Sequence, residues 1–495
     1  MFKTKALPLL ALGLLSSCSL IPAYHRPAMS VPATYPVAGG GSGPAAFDVG
    51  WKQFFKDPAL QQLIALGIAN NRDLQVSVLN VEKAQSQYQL SRASLFPTIN
   101  GNASFERLHT PKDLSAAHNF REYSIGAQAV SWELDLFGKI RSQAASQRQL
   151  YLSQAATARA AKMALVAQIG SQYYTWLADR EALQIAQSSA AADLHSLNLV
   201  QLELRNGIGT AMTVAQAQST YDTAQSSVAQ YQRQVEQDMN NLVLLIGAPL
   251  PSTLVAEMEK RNGLSQEQAL PRLPAGLPSE LLTRRPDIQA AEHELLAANA
   301  NIGAARAAFF PSITLTASGG TASPSLDRLF TAGQGSWAFE PQLTIPIFTG
   351  GQNIANLDIA KIEKKIQIAD YQKAIQSAFR DVANGLSARQ TYDSEVAAQQ
   401  NLVDADTRYY NLSQMRFQAG VDNYLNVLVA QNSLLSARLT LVNLQLAQQQ
   451  TEITLYNALG GGWEADGKPV ATGAIPSIPV ASPVPQTKPK ALSAG

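Results

Sequence analysis

The octet RASLFPTI, Arg92–Ile99, occurs again as RAAFFPSI, Arg306–Ile313, 214 positions later in the chain. A repeat at this distance decides the architecture before any single motif does. Further matches follow at offsets of 213 or 214: Asp73–Gln75 with Asp287–Gln289, Arg205–Gln218 with Gln418–Gln431, and Gly247 with Gly460. We therefore predict two homologous halves, 59–248 and 274–462, joined by a linker, 249–273.

Each octet predicts a junction at which a helix stops and a strand begins. Proline disfavours helix in the residue before it, and aromatic residues are favoured at membrane interfaces. The candidate junction residues are Arg92, Phe96, Pro97, Arg306, Phe310 and Pro311. The two arginines could anchor lipid headgroups or could simply be solvated helix ends.

Four segments alternate apolar and polar residues, two in each half. They are Thr98–Glu106, Tyr123–Leu136, Ser312–Gly319 and Trp337–Phe348. Each has roughly the 10 residues of a tilted membrane strand, although soluble hairpins show the same alternation. The second segment changes phase near Val130, which predicts a β-bulge. Four strands cannot close a barrel, eight from two chains would be filled by side chains, and twelve from three chains leave a passage.

Two long proline-free runs, between Pro111 and Pro249 and between Pro346 and Pro469, predict helical hairpins. A helix over Lys139–Arg205 would be about 100 Å long. Apolar residues recur every seven positions, as in coiled coils. The series are Ile169, Trp176, Leu183, Ala190, Leu197, Leu204; Val214, Tyr221, Val228, Val235, Leu242; Val382, Val396, Val403, Tyr410, Phe417; and Val427, Leu434, Leu441, Leu455, with Arg389 as an exception. The Ala, Gln and Ser beside these stripes favour the wall of a wide tube, while a dimeric rod stays an alternative.

The N-terminus predicts an export signal over residues 1–17, with Lys3 and Lys5 before an apolar run. The single cysteine, Cys18, follows Leu15-Ser16-Ser17, which resembles the bacterial lipobox. We expect Cys18 to carry lipid and residues 18–58 to form a lipidated segment and linker; a plain signal peptide is the alternative. Ser19 stands where this resemblance would put Asp in a lipoprotein kept at the inner membrane, which favours the outer membrane.

Composition excludes several classes of protein. The net charge of +1 implies no basic surface for nucleic acid, and the charged fraction of 15% is low for a soluble protein. Beyond the signal, no stretch approaches the ~20 apolar residues of a membrane helix, so a spanning chain must use strands.

Glu292-His293-Glu294 lacks the HExxH frame of a metal site, so we expect no metal, no cofactor and no enzyme. The tail, 463–495, is expected to be disordered.

Together these features resemble the outer-membrane efflux protein family, the TolC-like channels, and in particular lipidated members that serve resistance-nodulation-division pumps. The resemblance rests on Cys18, Leu281–Ile288, the two octets, Phe348–Gly351 and Gly420–Gln431. It implies an α+β membrane protein: a homotrimer with a twelve-stranded barrel in outer-membrane lipid, a long periplasmic helical barrel, and a belt that includes the linker. It also implies passive export, with a periplasmic adaptor and an inner-membrane pump as partners. A secretion duct for protein or polysaccharide, or a non-channel coiled-coil lipoprotein, are the alternatives.

In this family the helix tips close the tunnel. The resemblance carries that role to Asp422, Tyr424, Leu425, Asn426 and Val429. Three copies of one residue on an axis form a ring that sets selectivity and gating. Related sequences often have Asp where Val429 stands, so the constriction could rest on the charge of Asp422 or on apolar Leu425. Alternatively, these are ordinary turn and helix-start residues, with Asp422 as a cap.

Overall fold

The computed structural model describes residues 19–37, 44–109, 111, 119–266 and 269–461. The predicted signal, Cys18 and the tail lie outside the described residues. The chain divides into two compact units. The strand unit contains the segment up to Val31 with Leu79–Thr157 and Pro286–Ser377. The hairpin unit contains Pro32–Val78, Ala158–Arg285 and the chain from Ala378 onward.

The helices follow the same order in the two halves. After α1, Trp51–Phe54, which precedes the repeat, those of the first half are α2 Pro58–Asn70, α3 Arg72–Ala93, α4 Lys139–Arg205 and α5 Ala211–Ile246. After α6, Ser252–Glu259, those of the second half are α7 Leu281–Arg284, α8 Pro286–Ala307, α9 Gln352–Gln418 and α10 Tyr424–Ala458. The prediction of one helix over Lys139–Arg205 is confirmed. The region predicted only as a linker contains α6, which forms because Leu254 and Met258 are buried on one side of it.

The four predicted strands form one antiparallel sheet in the order β1-β2-β3-β4. Their bounds are β1 Ile99–His109, β2 Asn119–Leu134, β3 Ser312–Ser323 and β4 Gly335–Thr344. β2 begins four residues earlier than predicted. β4 ends before Ile345 and Ile347, which the sequence pattern had included, because its last residue, Thr344, pairs with Ser312, the first residue of β3.

The predicted bulge lies in β2. The register with β3 shifts between Ala129 and Trp132, and Ser131 adopts a φ of 51°, in the left-handed region. The extra residue reverses the alternation of the side chains that follow it. Trp132 and Leu134 therefore point to the same face of the sheet as Ile125 does, although they stand at even-numbered positions and Ile125 at an odd-numbered one.

The long helices pack through the predicted seven-residue stripes. One buried cluster joins Val403 of α9 to Leu434 and Leu441 of α10. Arg389, the exception in the stripe, is only 7% exposed and forms a two-bond ion pair with Glu452, at 2.7 and 2.5 Å. Among the described residues, α10 alone is long and apolar enough to cross a membrane, and nearly half of its most apolar stretch is buried within the hairpin unit. We therefore interpret α10 as a core helix of that unit.

Candidate functional site

The sheet of the strand unit separates apolar from polar side chains. Opposed residues of an antiparallel pair point to the same face. Pairs on the apolar face include Phe105 with Tyr123, Trp132 with Leu315, and Ile313 with Leu343. Pairs on the polar face include Ser104 with Ser124, Thr314 with Gln342, and Thr316 with Glu340. One sheet therefore offers a surface suited to lipid and a surface suited to water.

Both faces and both edges of this sheet are open in the single chain. Trp337 is 82% exposed, and Phe105 and Leu343 are more than half exposed. Among the described strands, β1 and β4 each pair on one side only. An exposed apolar face of this extent marks a contact with membrane or protein, and an open edge is a template for another strand.

Both octets form the predicted helix-to-strand junction. The helices α3 and α8 each end four residues before the proline of the octet. The amide of Phe96 donates to the carbonyl of Ala93 at 3.0 Å, and the amide of Phe310 donates to the carbonyl of Ala307 at 3.1 Å. These bonds tighten the last turn of each helix, after which the chain continues as β1 or β3.

The side chains of the junction residues are mostly exposed. Phe96 is 68% exposed, whereas Phe310 is 41% exposed and stacks on Phe137 with ring centroids 4.7 Å apart. The guanidinium of Arg92 lies 5.7 Å from the ring centroid of Tyr88. These neighbours leave the guanidinium of Arg92 at the surface, where water or a headgroup can reach it.

The N-terminal segment Ser19–Ser30 lies along α8. Its contacts with α8 include a bond from Arg306 to the carbonyl of Leu20 at 3.2 Å, one from Asn299 to the carbonyl of Pro22 at 2.8 Å, and two of 2.8 Å between Arg26 and Glu292. Gly303 leaves room for this segment, because a Cβ there would meet the backbone nitrogen of Ile21 at 3.0 Å. The residue two positions after Cys18 is therefore fixed at the junction of the second half.

The turn between α9 and α10 is held by Asp422. Its carboxylate accepts from the backbone N–H of Asn423 at 3.0 Å, from Asn426 Nδ2 at 2.6 Å and from Arg416 at 3.2 Å. These donors, the Asn423 amide first, lower the pKa of Asp422. The cap of α10 is Asn423, whose side chain accepts from the Asn426 amide, and Gly420 supplies the positive φ of the turn. The idea that Asp422 is the cap is therefore wrong by one residue.

The five predicted gate residues do not share one surface. Leu425 and Val429 are about half exposed and lie one helical turn apart, so they point the same way. Tyr424 is only 4% exposed, and its ring packs 5.3 Å from that of Phe417. Tyr424 therefore does not line an opening in this conformation, because the apolar cluster at the tips of the hairpins holds its ring.

A buried polar contact near the tips was not predicted. Asp193 of α4 is 2% exposed, and its carboxylate lies 2.5 Å from Gln431 Nε2 of α10. Burial raises the pKa of Asp193 to about 6, while hydrogen bonds from Gln431 and Ser189 oppose the increase. Tyr410 and Tyr424 also adjoin this carboxyl group, and Tyr424 has its pKa raised to about 12, chiefly by burial. Asp193 and Gln431 stand 238 positions apart, so no local pattern joins them.

The acidic residues around His293 are engaged in structural contacts. His293 Nδ1 lies 2.8 Å from Gln149 Oε1, and Ser153 Oγ donates to Glu294 at 3.2 Å. Glu292 binds Arg26 and Tyr24. No group of three or more side chains arranged to hold a metal lies in the part of the chain that the structure describes.

Comparison with known proteins agrees with this geometry. The model of the outer membrane efflux protein family matches residues 63–248 and 277–461. The chain is 43% identical over 470 residues to the probable efflux pump outer membrane protein TtgC of Pseudomonas putida, covering 93% of this chain and 96% of that protein. It is 39% identical over 465 residues to the cation efflux system protein CusC of Escherichia coli, covering 93% and 99%.

Solved structures resemble the fold over about nine-tenths of the chain. The open state of the MtrE outer membrane channel of Neisseria gonorrhoeae aligns with a TM-score of 0.83 and 38% identity, covering 91% of this chain and all of that one. A membrane protein from Pseudomonas aeruginosa aligns with a TM-score of 0.84 and 37% identity, covering 90% and 98%. The chain therefore belongs to the outer membrane efflux protein family, and it is an efflux channel protein of the outer membrane with a periplasmic extension.

Proposed function

We propose that three copies of this chain form one export channel, a twelve-stranded barrel in the outer membrane continued by a periplasmic tube of helical hairpins. The observation that carries this proposal is the sheet, which has two open edges, one apolar face and one polar face. Pairing β4 of one copy with β1 of the next removes every edge. Three sheets give the smallest closed set that is not filled by its own side chains.

The polar face of each sheet then lines the passage, and the apolar face contacts lipid. Substrates cross this passage passively. A resistance-nodulation-division pump in the inner membrane, linked through a periplasmic adaptor, supplies the work.

The cargo is drugs or other small toxic compounds delivered by that pump. Two relatives with nearly the same sequence identity to this chain are named for the efflux of different compounds. The toluene efflux pump protein of P. putida is 43% identical, and the cation efflux protein CusC is 39% identical. This spread supports a channel that does not select its cargo. It also favours the efflux function over a dedicated secretion duct.

The periplasmic gate is formed by the exposed face of α10 at the hairpin tip. Three copies of Leu425 and Val429 on one axis make two apolar constrictions, and Asp422 fixes the turn that presents them. Asn426 supports the gate through its hydrogen bond to Asp422, and Tyr424 supports it by packing in the apolar cluster at the hairpin tips.

The lipid on Cys18 anchors the N-terminal segment in the outer membrane. The contact between Arg306 and Leu20 supports this anchor, because it fixes the chain two residues after the lipidated position at a junction rich in aromatic residues. Arg92 and Arg306 then lie at the level of the headgroups.

Conductance of the purified protein in planar bilayers, with its oligomeric mass in detergent, tests the channel. Steady single-channel currents from a trimer are expected. A protein that is trimeric but never conducts would indicate a coiled-coil lipoprotein without a channel. Drug susceptibility of a deletion strain tests the cargo: sensitivity to small toxic compounds is expected, whereas loss of a secreted protein or polysaccharide alone would indicate a secretion duct.

A further inference from the structure

The contact between Asp193 and Gln431 joins the two halves of the chain. Asp193 belongs to α4, the first long helix of the first half, and Gln431 belongs to α10, the second long helix of the second half. Ser189 and Ser196 lie on the same side of α4 as Asp193, four residues before it and three after it. This side of α4 is buried within the hairpin unit, since Asp193 and Ser196 are 2% and 8% exposed.

The internal repeat supplies a second set of the same residues. Asp406 of α9 stands 213 positions after Asp193, and Gln218 of α5 stands 213 positions before Gln431. This offset is the one that relates the Gly207 and Gly420 turns. The second Asp and Gln therefore occupy equivalent places on the other two long helices.

In the single chain these two residues do not meet. Gln218 donates to Asp222 on its own helix at 2.9 Å, and among the described residues none forms a hydrogen bond or ion pair with Asp406. The side of α9 that carries Asp406 is partly open: Leu402 and Tyr409, on the same side by their spacing, are 46% and 42% exposed, and Asp406 itself is half-buried. The equivalent side of α4 is covered.

We propose that Asp406 of one copy hydrogen-bonds Gln218 of the next copy, so that the open side of α9 packs against the open side of α5 across the subunit boundary. This rests on the proposed trimer, and it names the residues at its helical interfaces. A ring of three chains then contains six Asp–Gln contacts at one level. Three lie within chains and three lie between chains.

The sizes of the neighbouring side chains support this pairing. Where α4 has the small residues Ser189 and Ser196, α9 has Leu402 and Tyr409 at the equivalent positions. The helices that face them differ in the reverse way. The helix that faces α4 is α10, which has the large, buried Leu428, whereas α5, proposed to face α9, has the small Ala215 at the equivalent position.

A shallow groove on α5 provides the space for the larger residues of α9. Small and polar side chains line it, among them Ala215, Ser219 and Ser226 beside Gln218. Small residues let helices approach closely, and interiors tolerate a change of shape best when the total volume is kept. The exchange of large and small residues therefore offsets part of the change in volume at the interface.

Cysteine cross-linking tests the contact directly, because Cys18 is the only native cysteine. The test variant combines Gln218→Cys with Asp406→Cys. A short bis-maleimide is the reagent, since an Asp–Gln contact holds the Cα atoms farther apart than a disulfide bridges. The matched control combines Gln218→Cys with Asp404→Cys, which is exposed and points to nearly the opposite side of α9. Single-cysteine variants control for Cys18.

Several-fold more covalent dimer and trimer are expected from the test variant than from the control. Equal yields, or no cross-link in a protein that is trimeric by mass, would overturn the inference and leave the proposed channel intact. A protein that conducts poorly and never forms trimers would instead contradict the proposed function, and with it the premise of this contact.

An exchange of charge gives a second measurement. Asp406→Lys leaves the ammonium group against an amide, and Gln218→Glu places two carboxylates together, so each is expected to lower the temperature at which the trimer dissociates in detergent. The double variant pairs opposite charges and should recover most of that loss. Additive losses in the double variant would show that the two side chains do not meet.

Discussion

The substitution Asp193→Asn should make the protein more stable at neutral pH and remove part of its pH dependence. The carboxyl group is buried and has a pKa of about 6. Aspartate in an unfolded chain titrates near 3.9. The folded chain therefore binds this proton more tightly, so its stability decreases as the pH rises from about 4 to about 6 and then levels off.

The magnitude follows from the two pKa values. A difference of about two units corresponds to at most about 3 kcal/mol of unfolding free energy lost above pH 6, and we expect about 1–3 kcal/mol. An amide at this position carries no charge and can donate to the Oε1 atom of Gln431, which has no hydrogen-bond partner among the described residues. The variant should thus gain that amount at pH 8 and match the parent protein near pH 4.

Denaturant unfolding of the detergent-solubilised protein at several pH values measures this difference. Asp404→Asn, an exposed change on α9, serves as the matched control and should leave the profile unchanged. His195→Gln controls for the exposed imidazole two residues away. If Asp193→Asn has the same pH profile as the parent protein, or is less stable at pH 8, the assignment of a costly buried charge is refuted.

Arg389→Met should cost about 3–5 kcal/mol of unfolding free energy in the same assay, because it leaves Glu452 buried without its partner. The double variant Arg389→Met with Glu452→Leu should recover most of that loss. A double variant as unstable as the single one would contradict this. Leu425→Ser and Asp422→Ala should each raise single-channel conductance by widening or loosening the tip, and unchanged conductance in both would remove the gate assignment. Deleting Ser131 removes the extra residue and restores regular alternation with Trp132 and Leu134 still on the apolar face, so the proposed heat-resistant trimer should still assemble on gels, as it should with Ser131→Gly, which keeps the bulge and accepts the positive φ. Loss of assembly in the deletion variant alone would show that the bulge itself is required.

Much of the fold could be predicted because it rests on local periodicity and on the repeat. The bounds of the helix Lys139–Arg205 follow from a proline-free run with a seven-residue stripe, and the bulge near Val130 follows from a change of phase within one strand. The end of β4 was predicted too late because apolar alternation continues to Phe348, whereas pairing stops at Thr344, opposite the first residue of β3. The sequence pattern of one strand does not show where its partner strand begins.

The candidate site was only partly predictable because its contacts join distant parts of the chain. Asp193 and Gln431 look like ordinary polar residues of two solvated helices, and only the packing of one hairpin on the other buries them. Tyr424 belonged to a predicted gate by its position, but the side on which an aromatic ring packs depends on Phe417 and the rest of the tip cluster. Arg389 interrupts an apolar stripe of α9 because it forms an ion pair with Glu452, which lies on another helix, α10.

The strand order has a consequence for how the chain reaches its final state. The central pairing, β2 with β3, joins Leu134 to Ile313 across a segment that contains the whole first helical hairpin. Closing so long a loop is slow compared with forming helices, so each newly exported chain passes through a period with unpaired strands. Those strands are apolar on one side and can pair with any other open edge. The sheet is therefore most exposed to wrong pairing in the interval before β2 and β3 meet.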